Sequence, residues 1–269
     1  MLVFSAITPH PPILIPTIGK ENLDKITKTK EAMEQLAEDL YALQPDTIVM
    51  ISPHGLVQTD TFTIQISDKY YGEFQNFGDL ETKFEFNPDI SFINKIKIRA
   101  ELKNLPVQLV NESFIDHGTL VPLYYLAQNL PNVKIVPIAY SLLNYQDHFE
   151  FGKYLKRVIG RSNKRIALIA SGDLSHCLSK DAPAKYCPKG EVFDKQVIGL
   201  LKEKKCGELM MIDKELAEEA QECGLRSILT LAGALDEINC EPQVLSYEAP
   251  FGVGYLVMNF KIIYNTNCV

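Results

Sequence analysis

Phe4 to Pro12 reads FSAITPHPP, an apolar run that stops at a histidine with proline on both sides. Proline fixes its own φ angle and biases the residue before it away from helix, so the backbone around His10 is stiff and extended. The pattern returns at residues 47–55, TIVMISPHG, where a second apolar run ends at His54. Both runs have the length and composition of buried β-strands. We therefore predict two strands whose ends bring two histidines to one shared site.

A third apolar run, residues 165–170, is followed by SGDLSH, so His176 also comes shortly after the end of a predicted strand. The helical pattern of residues 22–43 lies between the first two strands, and strand, helix and strand in that order predict a parallel sheet. Alternating residues between 61 and 86 predict a β-rich excursion. Because no repeat, linker or low-complexity stretch interrupts residues 1–269, we predict one α/β domain with a central, mostly parallel sheet flanked by helices.

The remaining elements follow from the same periodicities. Further helices are predicted at 88–105, 116–130, 147–159 and, with interruptions, 191–236, and further strands at 107–110, 133–140, 242–247 and 255–263.

Charge and hydropathy exclude two classes of partner. The formal net charge is −7, whereas binding to a phosphate backbone needs a basic surface, so nucleic acid is not expected. No apolar run approaches the roughly 20 residues of a membrane helix, and the N-terminus lacks the pattern of a signal peptide. The six cysteines form no CxxC pair, which indicates reduced thiols. We therefore expect a cytoplasmic protein without a disulfide framework or structural zinc site.

His10, His54 and Glu248 each follow a strand-like run, and ligands of parallel α/β sheets gather beyond the carboxyl ends of the strands. Two imidazoles and one carboxylate are the ligand set of the non-haem Fe(II) oxygenases. Zinc accepts the same set in hydrolases, so the residue types by themselves leave the metal open.

Five short segments together resemble the class III extradiol ring-cleaving dioxygenases, and in particular the catalytic β subunit of protocatechuate-cleaving enzymes. They are spread over almost the whole chain in consistent order: TPHPP at 8–12, SPHG at 52–55, DHG at 116–118, SGDLSH at 171–176 and YEAP at 247–250. The resemblance implies His10, His54 and Glu248 as ligands of Fe(II), with zinc or manganese as other possible metals, and no organic cofactor. It further implies His176 as the catalytic acid/base and His117 as a catalytic polar group beside the substrate.

The expected reaction is extradiol opening of a catechol-type or aminophenol-type ring with O₂. An alternative is a Memo-type protein of the same superfamily, in which a cysteine replaces the metal-binding glutamate, and a further alternative is a zinc hydrolase. Glu248 favours the dioxygenase. A homo-oligomer is the expected assembly.

Other polar residues near these segments have ordinary structural explanations. Asp116 and Asp173 precede turns or helices, where aspartate usually caps backbone amides. His148 lies in a polar helix start without a motif and is expected at the surface. Cys177 is expected to pack instead of react.

Overall fold

A computed structural model describes residues 1–264, and its elements follow the predicted order closely. The strands are β1 (Leu2–Thr8), β2 (Thr47–Ser52), β3 (Phe62–Ile66), β4 (Tyr70–Phe74), β5 (Asp79–Pro88), β6 (Val107–Asn111), β7 (Lys134–Ala139), β8 (Ile166–Ser171), β9 (Cys240–Glu248) and β10 (Tyr255–Ile262). The α-helices are α1 (Pro16–Gly19), α2 (Thr27–Leu43), α3 (Ile90–Glu101), α4 (His117–Leu126), α5 (Tyr145–Gly160), α6 (Lys189–Lys202), α7 (Lys214–Ala220) and α8 (Leu225–Leu235).

The strands form one ten-stranded sheet in the order β4-β5-β7-β2-β8-β1-β10-β9, with β3 paired to β7 and β6 paired to β3. The central strands β7, β2, β8 and β1 are parallel to one another. Three further pairs are antiparallel: β10 with β1, β9 with β10, and β4 with β5. The predicted α/β fold is confirmed, although the sheet is mixed, because the hairpin β9–β10 and the excursion β3–β5 bring antiparallel pairs to its sides.

The central strands are apolar along their whole length because helices cover both faces of the sheet. Every residue of β1, β2 and β8 is buried. Successive side chains of β2 alternate between two cores: Val49 and Ile51 pack on one face, Ile48 and Met50 on the other. Helices α3, α5 and α8 contribute to the first core, and α2 and α4 to the second.

The parallel centre places the carboxyl ends of β1, β2, β7 and β8 along one edge of the sheet. The loops that follow three of these ends, β1, β2 and β8, carry His10, His54 and His176. Within residues 1–264, no helix is long and apolar enough to cross a membrane.

Candidate metal centre

His10 lies two residues beyond β1 and is buried, with 2% of its surface exposed. Its backbone N–H donates to Asp173 Oδ1 at 2.9 Å, and its Nδ1 is 2.9 Å from Ser171 Oγ. The Ser171 hydroxyl donates its single hydrogen to the carbonyl oxygen of Gly118 at 2.5 Å, so it must accept from Nδ1–H of His10. This arrangement selects the tautomer in which Nε2 carries the free lone pair, the form in which histidine binds a metal.

His54 brings its ring to the same point from the end of β2. Its Nε2 is 3.0 Å from Nε2 of His10, and its backbone N–H donates to Ser52 Oγ at 3.2 Å. The two rings are nearly perpendicular, with 4.8 Å between centroids. The side chain is open to solvent on one side, so a ligand could reach this point from outside.

Cys223 completes a three-residue cluster with the two histidines. Its Sγ is 3.6 Å from Nε2 of His10, and one donor atom from each of His10, His54 and Cys223 lies within 4.8 Å of the others. Two imidazoles and a thiol are ligands suited to zinc, copper and iron. The described part of the chain therefore contains a donor set that fits a metal ion at the carboxyl edge of the sheet.

A close approach between two glycines positions the cysteine. A Cβ added to Gly172, which follows β8, would lie 2.2 Å from the Cα of Gly224, the residue before α8. Only glycine at both positions lets the start of α8 reach the end of β8 without a clash. The backbone N–H of Asp173 then donates to Sγ of Cys223 at 3.3 Å, which holds the thiol beside the histidines.

The partly buried surroundings favour neutral forms of these side chains. Burial lowers the pKa of His10 well below its ordinary value, and the positive charges that His117 and His176 would carry lower it further. Loss of solvent around the ring, together with repulsion from His10 and His117, lowers the pKa of His54 to about 3. Neutral imidazoles keep a lone pair for a metal. Burial also raises the pKa of the Cys223 thiol, so metal binding there would displace a proton.

Glu248, the third ligand implied by the resemblance, is held elsewhere. One of its carboxylate oxygens accepts from the backbone N–H and from the hydroxyl of Thr29, at 2.7 and 2.6 Å. Thr29 lies in the first turn of α2, where backbone N–H groups have no partner within the helix and the helix dipole favours an anion. Glu248 therefore serves as a tertiary cap of α2 and is not a member of the His-His-Cys cluster. Its role as a ligand stays a prediction, in competition with Cys223.

His117 lies next to the cluster, and His176 is near enough for its charge to act on His10 and His54. His176 is half-buried, and its backbone N–H donates to the carbonyl oxygen of Ala220 at 3.0 Å. Its Nδ1 is buried without a hydrogen-bond partner among residues 1–264. His117 begins α4 and stacks on His54 with ring centroids 4.2 Å apart. Phe77 contacts His117 edge-on at 5.2 Å and adds an aromatic wall.

Sequence reasoning missed Cys223, which lies within residues 191–236, the segment predicted as helical with interruptions. The signal was available in the Memo-type alternative, which calls for a cysteine ligand. The surface prediction for His148 is wrong: the residue is fully buried, and its two ring nitrogens lie 2.8 and 3.0 Å from the carbonyl oxygens of Asn144 and Ser141. Asp116 does cap α4, as predicted, by accepting from the N–H of Thr119.

Asp194 on α6 connects the loop after β8 to strand β9 and should make stability depend on pH. Its carboxylate accepts from the N–H of Ser175 at 2.9 Å and from the hydroxyl of Tyr247 at 2.7 Å. Burial raises the pKa of Asp194 to about 6. The folded state therefore binds the Asp194 proton more tightly than the unfolded state does. The stabilisation of the fold by protonated Asp194 is complete below about pH 4 and is lost as the pH rises through about 6.

We expect Asp194→Asn to remove this dependence. Between pH 4 and 7, the unfolding free energy of the wild type should fall by about 2–3 kcal/mol relative to the variant. Urea unfolding of both proteins at several pH values measures the difference, and Asp181→Asn, a change at an exposed carboxylate, is the control. Identical pH slopes for wild type and Asp194→Asn would contradict the expectation.

Comparison with known protein families gives a match over residues 5–258 to the model described as the catalytic LigB subunit of aromatic ring-opening dioxygenase. Protein CA_C1420 of Clostridium acetobutylicum is 34% identical over 96% of this chain and 57% of its own length. The 2-aminophenol 1,6-dioxygenase beta subunit of a Pseudomonas species is 22% identical over 97% of this chain and 94% of its own length. A MEMO1 family protein of Methanocaldococcus jannaschii, MJ0403, is 28% identical over 79% of this chain and 68% of its own length.

The chain spans little more than half the length of some of these relatives, including the Clostridium protein. Among solved structures, the uncharacterized protein JW3007 from Escherichia coli K12 superposes with a TM-score of 0.66 over 96% of this chain and 99% of its own. At 16% sequence identity, this likeness concerns the fold.

Proposed function

Since the chain belongs to the family of catalytic LigB subunits of aromatic ring-opening dioxygenases, we propose that it opens a catechol-type or aminophenol-type ring with O₂ at a bound metal ion. The observation that carries the proposal is the convergence of donor atoms from His10, His54 and Cys223 within 4.8 Å. The proposed metal is Fe(II). A dioxygenase subunit named for 2-aminophenol aligns over nearly the whole chain, which supports this substrate class.

The residues of the cluster fit a metal ion on chemical grounds. Ser171 fixes the His10 tautomer so that Nε2 is free to bind, as an outer hydrogen-bond partner does in known metal sites. His54 and Cys223 approach the same point from β2 and from the start of α8. Fe(II) bound there would offer open positions to O₂ and to the two ring substituents of the substrate, and would lower the pKa of those substituents.

The neighbouring side chains supply the remaining functions. In the proposed reaction, His176 accepts at Nε2 the substrate proton that the metal does not displace, and it returns a proton as the ring opens. Nδ1 of His176 has no hydrogen-bond partner within residues 1–264. His117 orients the substrate through a hydrogen bond, and Phe77 beside it gives the aromatic ring an apolar surface.

A second candidate is a metal-binding protein of the MEMO1 type that does not cleave rings. The observation in its favour is the third donor, because Cys223 lies beside the histidines while Glu248 caps α2. Thiolate favours softer ions such as zinc or Cu(I) over Fe(II). MEMO1 family proteins are also among the relatives.

Oxygen uptake separates the two candidates. We expect the chain, reconstituted anaerobically with Fe(II), to consume O₂ when catechol or 2-aminophenol is added, with a yellow ring-opened product, and to be inactive with zinc. Benzene-1,4-diol, whose hydroxyl groups cannot both reach one metal, is the matched control. Tight zinc or Cu(I) binding without oxygen uptake on any tested 1,2-diol or aminophenol would favour the MEMO1-type protein instead.

A further inference from the structure

A cavity lies between the start of α5 and helices α7 and α8. Its volume is about 480 Å³, within the range of small-molecule sites. Its walls include Asn144, Tyr145, Lys214, Gln221 and Arg226. Arg226 is in the first turn of α8, three residues after Cys223.

Arg226 is held by aromatic rings and not by a carboxylate. Its guanidinium carbon is 5.9 Å from the ring centroid of Tyr140 and 5.6 Å from that of Tyr145. Its Nε is buried and has no hydrogen-bond partner within residues 1–264. Stacking on aromatic rings orients the planar guanidinium and leaves its N–H groups available in a fixed direction.

Lys214 adds a second cation at the exposed rim of the cavity, with its Nζ 5.9 Å from the ring centroid of Tyr145. In the described part of the chain, neither Lys214 nor Arg226 forms a salt bridge. Two unpaired cations beside the same tyrosine ring attract an anion.

Two acidic residues also line the cavity, but in the described part of the chain neither forms a salt bridge with Arg226 or Lys214. Glu222 instead accepts from the backbone N–H of Leu225 at 2.5 Å, and burial raises its pKa to about 7. Glu218 is exposed at the outer rim. The guanidinium of Arg226 thus remains the group with unused hydrogen-bonding capacity at the inner wall.

Two segments of the chain link the cavity to the metal centre. Cys223 precedes Arg226 by less than one helical turn. Tyr140, whose ring contacts Arg226, directly follows Ala139 in the chain. Ala139 packs against Gly55, the neighbour of His54, and a Cβ added to Gly55 would lie 2.8 Å from the Cβ of Ala139.

We propose that this cavity, next to the metal centre, binds the carboxylate of a small organic acid through a bidentate pair with Arg226, supported by Lys214. A carboxylate is the anion whose two oxygens match the planar fork of the two terminal Nη–H groups of the guanidinium. The carboxylate could belong to the aromatic substrate itself or to a separate ligand. The site rests on its own contacts and does not depend on ring cleavage.

Calorimetric titration with benzoate tests the site, with benzamide as its uncharged counterpart. The wild-type chain should bind benzoate more tightly than benzamide. In Arg226→Gln, benzoate affinity should fall by about 10- to 100-fold, the usual effect of losing a charged hydrogen-bonded pair, with benzamide affinity unchanged. Arg226→Lys should be intermediate, because lysine keeps the charge without the fork. Arg157→Gln, on the exposed face of α5, should match the wild type.

A wild-type chain that does not distinguish benzoate from benzamide overturns the proposal, whatever the variants do. So does equal benzoate affinity in a folded Arg226→Gln protein. Repeating the benzoate titration in the metal-loaded chain with saturating catechol identifies the source of the carboxylate. Competition assigns it to the aromatic substrate, and simultaneous binding assigns it to a separate organic acid.

Discussion

Replacing His54 by alanine is expected to lower metal affinity by more than about 100-fold and to leave the chain folded. The variant removes one of three donors, which should cost more than the 10- to 100-fold typical of losing an outer hydrogen-bond partner of a metal ligand. Folding should survive because the His54 side chain is exposed at a strand end and contributes nothing to the two cores. Metal content after anaerobic reconstitution and chelator competition measure metal binding, and circular dichroism checks that the variant is folded.

The same assay decides which side chain is the third ligand. Cys223→Ser should weaken binding of zinc and Cu(I) more than binding of Fe(II), since a hydroxyl is a harder and weaker donor than a thiolate. Glu248→Gln is the matched control, because it changes a carboxylate that the structure places on Thr29. We expect it to keep the metal and to lose only part of the capping of α2. Loss of metal in Glu248→Gln, with full retention in Cys223→Ser, would instead make Glu248 the ligand.

Replacing His176 by alanine is expected to reduce turnover by on the order of 10² to 10⁴, the usual contribution of a positioned acid/base group. Metal content should not change, because the cluster of donor atoms comprises His10, His54 and Cys223 without His176. The variant should still bind a catechol, but with somewhat lower affinity, because proton removal assists that binding.

Iron content, anaerobic catechol binding and initial rate, measured on one preparation, test each part of this expectation. Lys180→Ala, an exposed change in the same loop, should behave like the wild type. Loss of iron in His176→Ala would make His176 a ligand. An unchanged rate would give it a structural role.

The local sequence determined the order and type of the elements and the histidines that close three strands. Continuous apolar runs such as residues 47–52 bury both of their faces only in strands at the centre of a sheet that helices cover on both sides. Proline on one or both sides of His10 and His54 ended those strands at defined positions. The shared site then followed, because parallel strands put their carboxyl ends along one edge.

Tertiary structure decided the third donor. Glu248 and Cys223 both precede or end an element, and nothing in their local sequence says which of them faces the histidines. Glu248 finds two hydrogen-bond donors on Thr29 at the start of α2, a partner 219 residues away in the chain. Cys223 reaches His10 only because Gly172 and Gly224 allow α8 to approach the end of β8. Contacts of such long range depend on the packing of whole helices, which no local pattern of residues encodes.

The same distinction applies to charge and burial. The sequence predicts a surface position for His148 from its polar neighbours, whereas the packing of α5 buries it completely. Arg226 is an ordinary basic residue in a helical segment until the fold places it against the rings of Tyr140 and Tyr145, with no hydrogen-bond partner for its Nε in residues 1–264. The residues thus determine which chemical groups are present, and the fold determines which of them remain unpaired, because pairing depends on the distance between elements far apart in the chain.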